Sequence, residues 1–492
     1  MKYYIGIDLG TSSMKLLLAD ASGKIHNTVT KEYPLEFPKT GWSQQNPQDW
    51  KKALFEGIPQ LLCGFEAKNV CGIGTGGQMH GLVVLDKDDN VIRPAILWND
   101  ARTEKETEYL NCVIGKEKLS SLTANIAFAG FTAPKILWMK NNEKENFDRI
   151  AKIMLPKDYI NYCLTGVHAC DYSDASGMLL LDVKNKKWSD EMLDICGIGK
   201  EMMPKLYESY EVIGNIKPEM AEMLGLGSSV KVVAGAGDNA AAAIGTATVE
   251  DGSCNISLGT SGTIFISSDK FALDPNNALH SFAHANGKYH LMGCMLSAAS
   301  CNKWFCNDIL NTSEYKKEES VITDEKLGEN NVFFLPYLMG ERSPINDTNA
   351  RGTFIGMSLN TTRADMLQAV LEGVAFAIRD SLEVAKSLGI KIERSKLCGG
   401  GAKSALWQKI IANVLGISLD IPVTEEGPGY GGAMLAMVGC GEFNNVKECA
   451  NEFVKVTKTI NPDPVLLQKY EKQYAKYRKI YPTLKQLFIE LK

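Results

Sequence analysis

The sequence predicts an α/β protein of two duplicated lobes with a cleft between them. Three observations carry that prediction. The stretch "GIDLGTSSMKLLL" (6–18) recurs as "NISLGTSGTIFIS" (255–267), with Thr11 matching Thr260. A chain of 492 residues exceeds what one hydrophobic core usually holds, so two large domains are expected. Each half mixes alternating, strand-like runs with helical patterns, with no low-complexity stretch or long linker. The division falls near residue 246, giving domains 1–246 and 247–492.

Taken in order, "YYIGID" and "KLLLAD" alternate as antiparallel strands around a Leu-Gly-Thr-Ser turn, and "SCNIS" and "TIFIS" repeat the arrangement. Gly10 and Gly259 allow turn geometry barred to other residues. One position breaks the symmetry: Asp8 in the first copy is Ser257 in the second. "GIGTGG" (72–77) fits a dinucleotide fingerprint, but the following "QMHGLVVLD" reads as a strand where that motif needs a helix. "AGAGDNAAAAIGTA" (234–247) sets Asp238 and Asn239 at or just before a helix start. "DMLQAVLEGVAFAIRDSLEVAKSLGI" (365–390) is a strong amphipathic helix, and "SALWQKIIANVLGI" (404–417) is another, ending in Gly416. A charged helix rich in Tyr and Lys runs from about Val465 to the end.

The totals exclude several classes. A net charge of −5 leaves no basic footprint for nucleic acid or an anionic membrane. "MKYYIGIDLG" has no long apolar segment, so neither a signal peptide nor a transmembrane helix is expected. The 13 cysteines include no CxxC pair, which fits reduced thiols in a cytoplasmic protein.

Several segments carry chemistry. A Gly-Thr-Ser bend can hold an anion on its backbone N–H groups, and two facing bends can grip one polyphosphate. Asp8 at the end of the first strand then suits Mg²⁺, which prefers oxygen ligands. The plainer alternative is two tight turns with Asp8 as a cap. Asp238 is equally readable as a helix cap or as a group facing a ligand among small neighbours. "LCGGGAKSALWQKI" (397–410) permits close approach of an anionic ligand before the helix at Ser404, and "EEGPGYGGAML" (425–435) is a second glycine-rich candidate for the same pocket wall. Gln78, His80, Trp98, Asn99, Asp100 and Arg102 form a polar cluster that suits a polyhydroxylated ligand.

Together these segments resemble the FGGY family of carbohydrate kinases, over nearly the whole chain. "GFTAPKILWMKNN" (130–142) looks like the family's first signature and "GTFIGMSLNTTRADMLQAVLE" (352–372) like its second. "GGQMHG", "LWNDAR", "DYSDASG" (171–177) and "FLPYLMGERSP" (334–344) look most like the branch that phosphorylates xylulose. The resemblance implies two ribonuclease-H-like domains of the actin, Hsp70 and sugar kinase superfamily, closing on ATP and a sugar. It implies Asp238 as general base. Met79, His80, Asp238 and Asn239 are implied to hold the ketose, with Gln78, Trp98, Asp100 and Arg102 around it. Asp8 is implied near Mg²⁺. Thr11, with Ser12 and Lys15, belongs to the first phosphate turn, and Gly259 and Thr260 to the second. Gly399, Gly400 and Gly401 lie beside the nucleotide, and Ala402 less sharply so. Members of the family often form dimers. A kinase for another ketose or polyol, such as ribulose, a deoxy-xylulose or a sugar alcohol, fits the same motifs. An ATP-driven chaperone or filament protein of the superfamily lacks the sugar-like cluster, and a sugar-sensing regulator would need a helix-turn-helix segment that is absent.

Overall fold

The computed structural model describes residues 1–423 and 426–491. The first half is built on a seven-stranded sheet. Strands β1 (Tyr3–Leu9), β2 (Ser13–Asp20) and β3 (Ile25–Glu32) form an antiparallel meander. Helix α1 (Pro47–Leu61) follows, with Pro47 in its first turn and Asn46 capping the Gln48 N–H. Strand β4 (Val70–Gly77) runs parallel to β1 on its other side. Helices α2 (Thr132–Asn142), α3 (Pro156–Thr165) and the short α4 (Tyr172–Ala175) come next. Strands β5 (Val212–Asn215), β6 (Lys231–Val233) and β7 (Ala236–Gly237) complete the sheet, and α5 (Asp238–Gly245) leaves it. The order is β5-β6-β4-β1-β2-β3, with β7 also pairing with β4.

The second half repeats the plan. Strands β8 (Cys254–Leu258) and β9 (Gly262–Ser268) form the matching hairpin, followed by β10 (His280–Ala283) and β11 (Tyr289–Met295). Helix α6 (Arg363–Ser387) opens with a reciprocal cap between Thr362 and Asp365. Strand β12 (Arg394–Cys398) pairs parallel with β8. Helix α7 (Ala405–Leu415) is capped by Ser404 and closed by Gly416 in the left-handed conformation. Strand β13 (Ser418–Pro422), helix α8 (Gly427–Gly439) and strand β14 (Val456–Ile460) follow. The terminal region is two helices rather than one, α9 (Pro464–Tyr477) and α10 (Ile480–Glu490). The order β10-β11-β9-β8-β12-β13-β14 has the same core topology as the first sheet. The duplicated hairpins are present, each with three residues between its strands, but Gly10 and Gly259 do not take the glycine-only turn geometry expected of them: neither has a positive φ, and each instead lies close to a carbonyl of its own turn, Ser13 O at 3.0 Å and Ser261 O at 3.3 Å from where a Cβ would stand.

Strand periodicity sorts the first sheet into two faces. Ile5, Ile7 and Leu9 pack with Trp50 and Leu54 of α1, while Tyr4, Leu17 and Ala19 pack with Met434 and Met437 of α8. Helix α8 therefore belongs to the second half of the sequence but covers the sheet of the first. The fingerprint-like "GIGTGG" forms the last six residues of β4. The stretch 425–435, expected as a pocket wall, is mainly the start of this buried helix; Glu425 lies outside the described residues.

Glycines make that docking possible. A Cβ on Gly6 would lie 1.9 Å from the Gly429 carbonyl oxygen, and one on Gly74 2.1 Å from that of Gly432. The GIGTGG and GPGYGG stretches thus interlock backbone to backbone. Among the described residues, no helix is long and apolar enough to cross a membrane. All 13 cysteines are free thiols. We expect Gly74→Ala to cost about 1–3 kcal/mol through overpacking, read as a lower thermal midpoint. Gly400→Ala, where nothing lies within 4 Å, should leave the midpoint unchanged; equal behaviour of the two variants would contradict the interlocking.

Candidate active site

The period-two alternation that places Tyr4 and Gly6 on the α8 face of β1 puts Asp8 there as well, beside the first turn of α8. Across the hairpin Asp8 pairs with Lys15, whose ammonium reaches Glu426 at 2.5 Å. Burial, and next the Asp238 carboxylate, push the Asp8 carboxyl up to about 7, with Lys15 opposing. No side-chain hydrogen bond to Asp8 occurs among the described residues. A buried, negatively biased oxygen donor of this kind fits a hard divalent cation that keeps most of its own waters. Among the described residues no group of three or more His, Cys, Asp or Glu side chains could hold a metal ion by itself, and Asp8 is a single carboxylate that could serve as one ligand.

The first turn is held from behind. Tyr33 Oη donates to Gly10 O at 2.5 Å, Gln45 Nε2 to Thr11 O at 2.6 Å, and Trp98 Nε1 to Thr11 Oγ1 at 2.9 Å. Ser12 stands exposed at the tip. The second turn is braced by helix-start groups: Ala299 N donates to Gly259 O at 2.9 Å and Ala298 N to Thr260 O at 3.0 Å.

Asp238 is the first residue of α5, immediately after the two-residue strand β7. Its Oδ1 accepts from the Asn239 backbone N–H at 2.7 Å and from Asn239 Nδ2 at 2.9 Å. Burial raises its carboxyl to about 6 while those bonds pull it back. A cavity of about 660 Å³ joins Asp238 and Asn239 to Ser257 and Gly259 of the second hairpin and to Gly399, Gly400 and Ala402. The glycines of that last turn differ in role. Gly399 has φ +88°, and a Cβ there would lie 2.7 Å from Leu258 O; Gly400 has nothing within 4 Å and faces open space. The N-terminal residues of α8, Gly427 and Pro428, line the same cavity.

Met79 and His80 pack against two glycines, one of them Gly237, the residue before Asp238. A Cβ on Gly237 would lie 2.9 Å from Met79 Cγ, and one on Gly177 2.5 Å from His80 Nδ1. His80 has φ +68°, stacks on Phe131 at 4.6 Å, and places Nδ1 2.7 Å from Gly177 O. Burial lowers its pKa to about 3, so the ring is neutral. A carbonyl only accepts, so Nδ1 carries the hydrogen and Nε2 is left as an acceptor.

The remaining cluster residues bond mainly within the protein. Gln78 Nε2 donates to Gln45 Oε1 at 3.2 Å and to Gly10 O at 3.4 Å, so it braces the first turn. Asp100 and Arg102 form a fully buried pair at 2.8 Å; Asp100 also accepts from Ser43 N, and the guanidinium lies 4.0 Å over Trp42. Trp98 is 42% exposed. Sequence reasoning assigned nothing to Arg342, although its "GERSP" motif was visible. Its guanidinium lies 5.5 Å over Phe128, near His80 and Cys294, and brings a cation from the second half to the face carrying His80. Tyr33 and Gln45 were also missed, because only folding brings them to residues 10 and 11.

This geometry has close counterparts. The N-terminal domain of the FGGY family of carbohydrate kinases matches residues 3–245, and its C-terminal domain matches residues 254–440. The chain is 37% identical to the xylulose kinase of Bacillus subtilis (strain 168), over 100% of this chain and 99% of that protein. Its fold superposes on the crystal structure of a xyloylose kinase from Brucella ovis with a TM-score of 0.94 and 38% identity, over 99% of this chain and 100% of that one. It superposes equally on a gluconate kinase from Lactobacillus acidophilus, with a TM-score of 0.94 and 28% identity over 100% of each chain. With both domains matched in order, the chain belongs to the FGGY family and is a carbohydrate kinase.

Proposed function

We propose that this kinase transfers the γ-phosphoryl group of ATP to D-xylulose, giving D-xylulose 5-phosphate and ADP, in the cytoplasm. The observation that carries the reading is the single cavity joining Asp238 to the second hairpin turn and the Gly399–Ala402 turn. It joins a carboxyl group suited to proton transfer to backbone suited to phosphates. The likeness to xylulose kinases over the whole chain supports the choice of sugar.

In this reading the primary hydroxyl of the ketose stands beside Asp238. As its oxygen bonds to the γ-phosphorus, the bond to the β–γ bridging oxygen breaks and its electrons leave with ADP. The hydroxyl proton passes to the Asp238 carboxylate, help that is typically worth about 10²- to 10⁴-fold. Asn239 holds that carboxylate by two hydrogen bonds and so fixes the lone pair that takes the proton. His80 Nε2 accepts from a sugar hydroxyl, and Met79 packs against the carbon chain. The backbone of the Gly10–Ser12 and Gly259–Ser261 turns faces the phosphates from the two halves, and Gly400 leaves room for the nucleotide. Gln78, Asp100 and Arg102 shape the sugar wall through their protein partners. Mg²⁺, when bound near Asp8, supplies charge neutralisation for the phosphates. Closure of the halves excludes water and limits loss of ATP to hydrolysis.

A gluconate kinase shares the fold as closely as a xylulose kinase does, so the acceptor is the point to test. ADP release measured over D-xylulose, D-ribulose, 1-deoxy-D-xylulose, xylitol and gluconate should give the highest kcat/KM for D-xylulose. A higher value for another acceptor overturns the sugar assignment, and sugar-independent turnover overturns the kinase reading.

Asp238→Ala should lose at least about 10² in kcat while retaining sugar binding by calorimetry; near-normal turnover refutes the base. Because the folded-state carboxyl is raised to about 6, kcat should fall as pH drops through that value. The sign also bears on stability. A raised carboxyl penalises the ionised folded state, and that penalty grows with pH above the ordinary carboxylate range. Asp238→Asn should therefore unfold at no lower temperature than the parent at pH 7.5. His80→Ala should raise KM for the sugar far more than for ATP, and an equal rise in both marks a structural histidine. Asp8→Asn should raise the Mg²⁺ concentration needed for half-maximal rate, and an unchanged requirement removes Asp8 from the metal site.

A further inference from the structure

Asp238 is also reached through its backbone, by a buried polar network that the mechanism above does not use. The Lys157 side chain is 0% exposed, and its Nζ lies 2.6 Å from Asp158 Oδ1, 3.1 Å from Asp171 Oδ1 and 3.8 Å from Asp174 Oδ2. The same ammonium donates to Ala234 O at 3.1 Å, and Asn161 Nδ2 donates to that oxygen at 2.9 Å. Asp171 Oδ2 accepts from Ser173 N at 2.8 Å, Ser173 Oγ at 2.5 Å and Ser209 Oγ at 2.8 Å. Since the Ser173 hydroxyl hydrogen is directed at Asp171, its lone pairs are free to accept, and Gly237 N donates to them at 3.2 Å. Gly235 N is held by Ser209 O at 2.9 Å.

The segment from Ala234 to Gly237 is thus tied at both ends by groups from α3, α4 and the Ser209 loop, and Asp238 follows directly. Gly235 takes φ +74°, with the Thr75 carbonyl 2.1 Å from where a Cβ would stand, so the segment has little freedom on its other flank. Burying one ammonium among three carboxylates is a poor way to gain stability, because desolvation offsets most of the attraction. What the arrangement does supply is direction. The charges polarise the Ser173 hydroxyl, and that hydroxyl orients the peptide group that leads into Asp238.

We propose that Lys157, Asp171 and Ser173 are positioning residues that hold the Asp238 carboxylate in line for proton transfer by fixing the Ala234–Gly237 backbone. The proposal rests on Asp238 being the general base. A displacement of about 1 Å at a reacting group can cost about 10² in rate without changing what binds. The network therefore acts on kcat and leaves both KM values alone.

The test is steady-state kinetics of full-length Ser173→Ala, Ser173→Thr and Asp171→Asn beside Asp238→Ala, with ATP and D-xylulose. Ser173→Ala should lose tenfold or more in kcat with both KM values within twofold of the parent. Ser173→Thr, which restores the acceptor, should recover kcat to within about threefold. Asp171→Asn keeps the shape and should show the same selective loss of kcat. A kcat for Ser173→Ala within tenfold of the parent, a matching change in KM, or no rescue by threonine overturns the proposal. If Ser173→Ala does not fold, Asp171→Asn decides by the same criteria, and failure of both to fold makes the network a stability element and overturns the proposal. A dead Asp238→Ala beside an active Ser173→Ala removes only the network. An active Asp238→Ala removes the base reading and the network with it.

Discussion

The geometry of the molecule depends on one close contact: the backbone of α8 lies directly against the backbone of β1 and β4. Gly6 and Gly74 on the strands face carbonyls of Gly429 and Gly432 on the helix. On its other side α8 meets α5 in the same manner, with a Cβ on Gly431 falling 1.9 Å from Ala241 O and one on Gly245 2.2 Å from Gly427 O. Any side chain at these positions would push sheet and helices apart. Interiors are packed too tightly to absorb such a displacement locally. The spacing of sheet, α8 and α5 therefore sets the spacing of Asp8, at the end of β1, and Asp238, at the start of α5. It also aims the N-termini of both helices at one cavity, where anions are favoured.

That spacing produces the electrostatics of the site. Two carboxyl groups share a poorly solvated cleft, and both are displaced upward, mostly by burial. The arrangement stabilises neither group in the protein alone. In the proposed reaction a cation and the proton arriving from the acceptor would relieve that cost. His80 is treated in the opposite way: burial keeps its ring neutral, and the Gly177 carbonyl selects which nitrogen stays open. Burial acts against charge of either sign, so it raises the two acids and keeps the histidine neutral.

Local features were legible in the sequence where a few neighbouring residues dictate the backbone. The two hairpins follow from alternation around Leu-Gly-Thr-Ser, and α6 and α7 from apolar periodicity, while the Thr362 cap of α6 emerged only in the structure. Helix α8 was not legible. "GPGYGGAMLA" opens with residues of poor helical propensity, so its residues announce a glycine-rich wall and not a helix. Burial of that backbone on β1 and β4 overrides propensity, because a helix satisfies its own polar groups where no water can. Asp100 and Arg102 illustrate another limit. Their types suit a sugar ligand, but two residues apart they pair with each other beneath Trp42.

Residue order is enough for the duplication, the hairpins that carry it, and the asymmetry that places Asp8 in one strand and Ser257 in its counterpart. Those properties reside in short stretches, where residue type and spacing control the local backbone. Tertiary structure alone decided which polar groups meet. Lys157, Asp171 and Ser173 come to lie behind Asp238, Tyr33 and Gln45 behind the first turn, and Arg342 beside the face of His80. It also raised the carboxyls of Asp8 and Asp238 and kept His80 neutral, because desolvation depends on what surrounds a group in space and not on its neighbours in the chain.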